Sequence, residues 1–432
     1  MRPLGLNCSL RQDDLASRAG RSTFGTGTPV RFSAEASSAF VDCRPHGLAS
    51  GTGSSFPLSP LNVICDPMAE SAEMLRGPAP SAGSTAPLVS VIIGAYSRET
   101  FVTAAVQSVL DQTLDRDRIE IIVTKNFPSA PVDEFLARKG VISLLDPDPR
   151  IGPWLLRAIR KSRAPLIAFL DDDDLFDPVR LQHVVEVFRT HPHVGYYRNR
   201  VSVIGPDGFP IPRKAWAPNE VDPVFDQTGP LHVAADSKVA ALPTIRRTYS
   251  YFNSSTIVIR REVLTDELSS RFVAYQNPDP FLFVAGVASQ YELYLDDRRL
   301  TQYRHHGTNV TGQVSSLRHG LEDSSRLAQL CRDLHLPGYA AWFDSRSTQI
   351  EKRLLVGTLM ARVVAHSTRS EVASEARAYL RFLGKHPDVR NPDLETWAAE
   401  VYAAIYVLFP RAAGRMFHLR AARRSLERIG GD

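Results

Sequence analysis

From Leu88 to Phe188, short apolar runs alternate with amphipathic stretches, and this alternation most constrains the fold. LVSVIIGAY (88–96), IEIIV (119–123), VISLL (141–145) and PLIAFL (165–170) read as buried strands, being β-branched and bounded by polar or turn residues. Residues 100–112 set Phe101, Ala104, Ala105, Val106, Val109 and Leu110 on one helical face. PVDEFLARKG opens on Pro131 and closes on Gly140, the usual polarity of helix-terminating residues. Residues 152–163 and 178–188 also read as helices. Strands and helices at this spacing imply right-handed βαβ units and an α/β fold with a mainly parallel, Rossmann-like sheet flanked by helices. Ligands of such sheets bind beyond the carboxyl ends of the strands. The residues there are Tyr96 and Arg98, then Lys125 and Asn126, then Asp171 to Asp174.

The flanks differ. Residues 1–86 are rich in Gly, Ser, Pro, Ala and Thr and end in GPAPSAGSTAP, the composition of a disordered extension. Met68 offers an alternative translation start. Residues 87–314 read as the α/β domain and 315–432 as a helical C-terminal region. Within the domain, 194–259 suggest further strands, and the weak pattern of 213–245 suits a mobile loop over a site.

The net charge of +4 is small for 432 residues and calls for no nucleic-acid partner. The four Cys form no CxxC pair, so a zinc site or disulfide framework is not supported and a cytoplasmic home is expected. No apolar run reaches the ~18–20 residues of a membrane span. An aromatic stretch from Trp397 to Phe409 precedes Arg411, Arg415, Arg420, Arg423, Arg424 and Arg428. It suits peripheral contact with the inner face of a membrane, or equally a core helix followed by a solvated basic one.

Four consecutive aspartates at the end of an apolar strand repel one another. A hard divalent cation relieves that repulsion, and Mg²⁺ takes carboxylates together with substrate phosphates and water. A solvated acidic turn before the helix at Pro178 is the plainer alternative.

Four ordered blocks then carry a resemblance. VSVIIGAYSRETFVTAAVQSVLDQT, EIIVTKNF, IGPWLLRAIRKSRAPLIAFLDDDDLFDPVRL and YRHHGTNVTG together resemble family 2 glycosyltransferases of the GT-A fold over roughly residues 88–312. The resemblance implies a nucleotide-diphosphate sugar donor, Mg²⁺ or Mn²⁺, inversion at the anomeric carbon, and a glycan or lipid-linked acceptor used in polysaccharide or glycolipid synthesis. It implies a nucleotide-sugar site at Ala95, Tyr96, Arg98, Lys125, Asn126, Asp172 and Asp173. It implies metal ligation by Asp172, Asp174 and His306, and a general base at Asp279. An N-cap role for Asp279, before Pro280, stands beside the catalytic one. The chain departs from the family pattern at Gly94, where Pro is usual, at Pro278, where an acid is common, and at Thr124-Lys125-Asn126, where Asp usually meets the nucleobase. The nucleobase is therefore not carried over. A nucleotidyltransferase or a catalytically inactive nucleotide-sugar-binding module are the alternatives. The single Gly and Arg of GAYSRET argue against the first.

Overall fold

The computed structural model describes residues 86–148, 150–212, 229–248, 250–306, 314–364 and 369–387. The extension before residue 86, Met68, Asn309 and the basic tail after 387 lie outside the described residues. The alternation read from the sequence appears as β1 (Val89–Ala95), α1 (Val102–Leu110), β2 (Ile119–Lys125), α2 (Ala130–Arg138), β3 (Ile142–Leu145), α3 (Ile151–Lys161) and β4 (Leu166–Asp171). A two-residue β5 (Leu175–Phe176) leads to α4 (Arg180–Thr190) and the long β6 (Val194–Ile204). Next come β7 (Leu231–Val233), α5 (Leu242–Arg247), β8 (Ile257–Arg260), α6 (Asp266–Phe272), α7 (Pro278–Ala288) and β9 (Glu292–Arg304). The chain then turns helical, in α8 (Val314–Asp333), α9 (Pro337–Val364) and α10 (Arg369–Lys385). Residues 229–245, expected as loop, hold β7 and the start of α5, because β7 finds an unpaired edge of β9.

The sheet runs β3-β2-β1-β4-β8-β6-β9-β5, with β7 also on β9. β3, β2, β1 and β4 pair in parallel, β6 pairs with β9 in parallel, and β8 runs antiparallel between β4 and β6. This mixed sheet of mostly parallel strands between helices is the expected fold class. Alternation along each strand sends side chains to two cores. Val91, Ile93, Ile121, Val123, Ala168 and Leu170 face α1, α2 and α4. Ile92, Ile122, Ile167 and Phe169 face Trp154 of α3, Phe281 and Val284 of α7, Leu327 and Cys331 of α8, and Tyr339 and Phe343 of α9. α8 and the first half of α9 thus share the sheet's own core, while α10 packs on the end of α9 in a separate cluster.

The site depends on register. Gly94 is level with Thr124 and Asp171, and Ala95 with Lys125, so three strands end together. Gly94 lacks a Cβ where the Trp154 ring approaches, and an added Cβ would lie 3.1 Å from it. α7 packs equally closely on β6, where an added Cβ on Gly286 would lie 2.8 Å from Tyr196 Cβ. We expect Gly286→Ala to lower stability by about 1–3 kcal/mol through overpacking. Chemical denaturation checks this, and an unchanged midpoint would show that α7 is free to shift.

Candidate active site

At the end of β4 the chain turns sharply and buries the acidic run. Asp172, Asp173 and Asp174 are each less than a tenth exposed. Such burial is tolerated only where carboxylates find donors. Asp174 accepts from Asn253 Nδ2 (3.0 Å), Ser255 Oγ (2.6 Å) and the Arg304 backbone N–H (2.9 Å). Asp171 accepts from Ser254 Oγ at 2.6 Å, while its own N–H donates to Ser255 Oγ at 3.0 Å. The turn Ser254–Thr256 before β8 therefore braces both ends of the cluster. Asp172 takes a two-pronged contact from Arg98 Nε and Nη2, at 3.0 and 2.8 Å, and Arg98 also reaches Asp173. His306 Nε2 lies 3.0 Å from Asp173 Oδ2, its ring against Phe101.

One carboxylate oxygen from each of Asp171, Asp173 and Asp174 lies within 4.8 Å of the others. Burial, with mutual repulsion, pushes Asp171 up to about 6 and Asp172 up to about 7, and raises Asp174 well above the usual range. Convergent, mutually destabilised hard oxygens fit a divalent cation.

A cavity of about 420 Å³ opens above the strand ends, lined by Tyr96, Arg98, Asp171, Asp172, Asp173 and Asp279 among others. Asp279 lies in the first turn of α7, and the cap position belongs to Asn277, so the capping alternative does not hold. Burial and the charge of Asp171 push Asp279 up to about 7, against the backbone N–H groups of Asp279 and Ser254.

Not every expected site residue meets the cavity. Tyr96 is 39% exposed on its wall. Ala95 is buried in the opposite core, leaving its carbonyl to the Asn126 N–H. Asn126 spends its amide on Ser97, accepting from the backbone N–H at 2.6 Å and donating to Oγ at 3.1 Å. It thereby holds Ser97 at φ 54°, which shapes the Tyr96–Arg98 turn. Lys125 is buried away from the cavity, its Nζ on Phe127 O at 2.9 Å and on Asp133. Strand alternation explains this, since Lys125 shares the face of Ile121 and Val123. Of the three expected metal ligands, Asp172 is held by Arg98 and Asp174 by protein donors, while His306 meets Asp173. Arg304, beside the two His, is a brace: its Nε donates to Asp173 O at 2.8 Å, and its Nη1 reaches Gly205 O and Pro206 O.

The sequence did not point to the residues that α8 and α9 add to the lining. Leu317 and Asp323 of α8 and Arg346, Gln349 and Arg353 of α9 line the same cavity. Asp323 accepts from Gln276 N (3.1 Å), Asn277 N (2.8 Å) and Asn277 Nδ2 (2.8 Å), so α8 anchors the start of the helix that carries Asp279.

Residues 90–265 match the family model described as Glycosyl transferase family 2. The chain carries a family 2 glycosyltransferase domain. Asp279, His306 and the α8–α9 wall lie beyond the matched residues. No curated protein matches the chain significantly. Among solved structures, the chain is similar to TarS 1–349 of S. aureus in complex with UDP-GlcNAc, at 14% identity over 76% of this chain and 88% of that one, TM-score 0.43. It is also similar to the mannosyltransferase PcManGT from Pyrobaculum calidifontis in complex with GDP-Man and Mn2+, at 13% identity over 80% and 94%, TM-score 0.41. Likenesses this distant carry no weight for substrate.

Two expectations follow for this glycosyltransferase. Carboxyl pKa values raised by folding favour the native state below the unfolded value of 3.8, and that gain is lost as pH rises through the raised values of about 6 and about 7. A cation needs the ionised form. Mn²⁺ should therefore raise the melting temperature more at about pH 8 than at about pH 5.5. Equal shifts in paired melts with Mn²⁺ and with EDTA would count against a metal at the cluster. Asp323→Ala orphans buried donors and should cost at least about 2 kcal/mol in urea denaturation.

Proposed function

We propose that the enzyme transfers a sugar from a nucleotide-diphosphate sugar to an acceptor hydroxyl in a single inverting displacement, with Asp279 as general base. The observation that carries this reading is one cavity lined by both a buried carboxylate cluster at the strand ends and a separate carboxylate at a helix start. The two have distinct work. The strand-end cluster suits the leaving diphosphate, and the second carboxylate suits the attacking hydroxyl.

In the proposed step, Asp279 takes the proton from the acceptor hydroxyl as its oxygen bonds to the anomeric carbon. The bond from that carbon to the diphosphate oxygen breaks, and the electron pair leaves with the nucleoside diphosphate. A base matched to neutral pH is favoured for such work, and burial tunes Asp279 in that direction. Asp171 and Asp173, with His306 beside Asp173, are the groups we propose to hold a divalent cation. Mg²⁺ or Mn²⁺ so bound supplies charge stabilisation to the departing diphosphate. Asp174 acts as the brace that fixes its neighbours. Tyr96 borders the nucleotide, and Arg98, which holds Asp172 in the described state, adds positive charge on the donor side. A cytoplasmic location, with glycan or lipid-linked acceptors, belongs to the same proposal.

Asp279→Asn should lower transfer at least about 10²-fold. Its binding of the nucleoside diphosphate, followed by calorimetry, should stay near wild type. In the native enzyme kcat should rise with pH through about 7 as Asp279 ionises. Near-normal transfer by the variant would exclude Asp279 as the base.

A further inference from the structure

Carboxylates and guanidinium groups from separate elements line one cavity. Asp171, Asp172 and Asp173 line it from the end of β4 and the turn after it, Asp279 lines it from α7, and Arg346 and Arg353 line it from α9. These arginines are seven residues apart, with Gln349 and Ile350 between them, and all four line the cavity. Spacings of three, four and seven put them on one helical face, with the two cations two turns apart, about 10 Å along the axis. Arg346 is held in place: its Nη1 donates to Tyr251 Oη at 2.5 Å, and its guanidinium carbon lies 4.6 Å from the centre of that ring. The one acid lining the cavity from α8 and α9 is Asp323, whose carboxylate is taken by Gln276, Asn277 and Arg326. α9 thus brings two guanidinium groups to the lining of this cavity.

The α9 residues and the strand-end residues come from different elements of the fold. Tyr96, Arg98 and the aspartate cluster occupy the strand ends, where nucleotides bind in parallel sheets. Asp279 projects from α7, and Arg346 acts electrostatically on it. A general base lies within hydrogen-bond reach of the hydroxyl it deprotonates, so the acceptor fills the space adjoining Asp279. Guanidinium groups match the planar, two-oxygen geometry of carboxylate and phosphate.

We propose that the α9 face of the cavity is the acceptor subsite, and that it takes an acceptor bearing a phosphate or carboxylate near the accepting hydroxyl, held by Arg346 and Arg353. The proposal rests on the transferase reading above and adds the acceptor's chemical class to it.

The test uses the full chain with Mn²⁺ and saturating UDP or GDP, whichever binds, so that the donor side is filled. Inorganic phosphate, sodium glucuronate and, as an ionic-strength control, sodium chloride are titrated while melting temperature and calorimetric heat are followed. Phosphate or glucuronate should bind where chloride does not, and the tighter of the two identifies the anionic group. Arg353→Gln, at an exposed position, and Arg346→Gln should each weaken that binding at least tenfold, with partial recovery in Arg353→Lys. Equal effects of phosphate, glucuronate and chloride, or unchanged affinity in both variants, would overturn the proposal. Failure of the transferase reading is distinguishable: no nucleoside diphosphate is then released from any nucleotide sugar by the wild-type chain, whatever the anion titration shows.

Discussion

Burying a run of like charges at the end of a parallel strand is the constraint around which this molecule is arranged. Water would normally solvate four adjacent carboxylates, and a buried, unpaired one is costly. The chain answers from every side. Arg98 comes from the loop after β1 and holds Asp172. Asn253, Ser254 and Ser255 come from the turn before β8 and hold Asp171 and Asp174. The end of β9 gives the Arg304 amide to Asp174 and His306 to Asp173. Three distant segments thus meet at one acidic turn. Burial and neighbouring carboxylates still raise Asp171, Asp172 and Asp174 above the ordinary carboxylate range, an environment that suits a cation.

A second consequence concerns the C-terminal helices. Taken as a region beginning at residue 315, they read as an appendage. In the fold, α8 and the first half of α9 bury Leu327, Cys331, Tyr339 and Phe343 in the core beneath the sheet. Their polar edges then reach the cavity. Asp323 fixes the start of α7, and Arg346 and Arg353 line the cavity that the aspartates also line. The cavity is therefore a joint product of the family 2 domain and the helices that follow it. One part supplies the acidic cluster at the strand ends, and the other adds Arg346 and Arg353 to the same lining.

Much of the site's outline was legible because strand ends and acidic runs are local features. The position of Asp279 at a helix start was also local, signalled by the Pro residues beside it. What escaped was the direction of individual side chains. Lys125 and Asn126 are neighbours at the same strand end, yet one is buried against Asp133 and the other closes a turn on Ser97. Only the two-residue alternation within a packed sheet decides that difference. The division of labour among Asp171 to Asp174 escaped for a related reason. The four residues are chemically identical, and only donors arriving from residues 98, 253–255 and 304–306 tell them apart.

The sequence by itself determined the alternating strands and helices, the parallel half of the sheet, and the gathering of polar residues at its carboxyl edge. It could do so because hydrophobic periodicity and turn chemistry act over a few residues. Tertiary structure alone decided which carboxylates converge and which are spent on protein donors. It likewise brought α8 and α9 over the site. Those outcomes depend on contacts between residues 46 to 133 positions apart, and no local pattern encodes such distances.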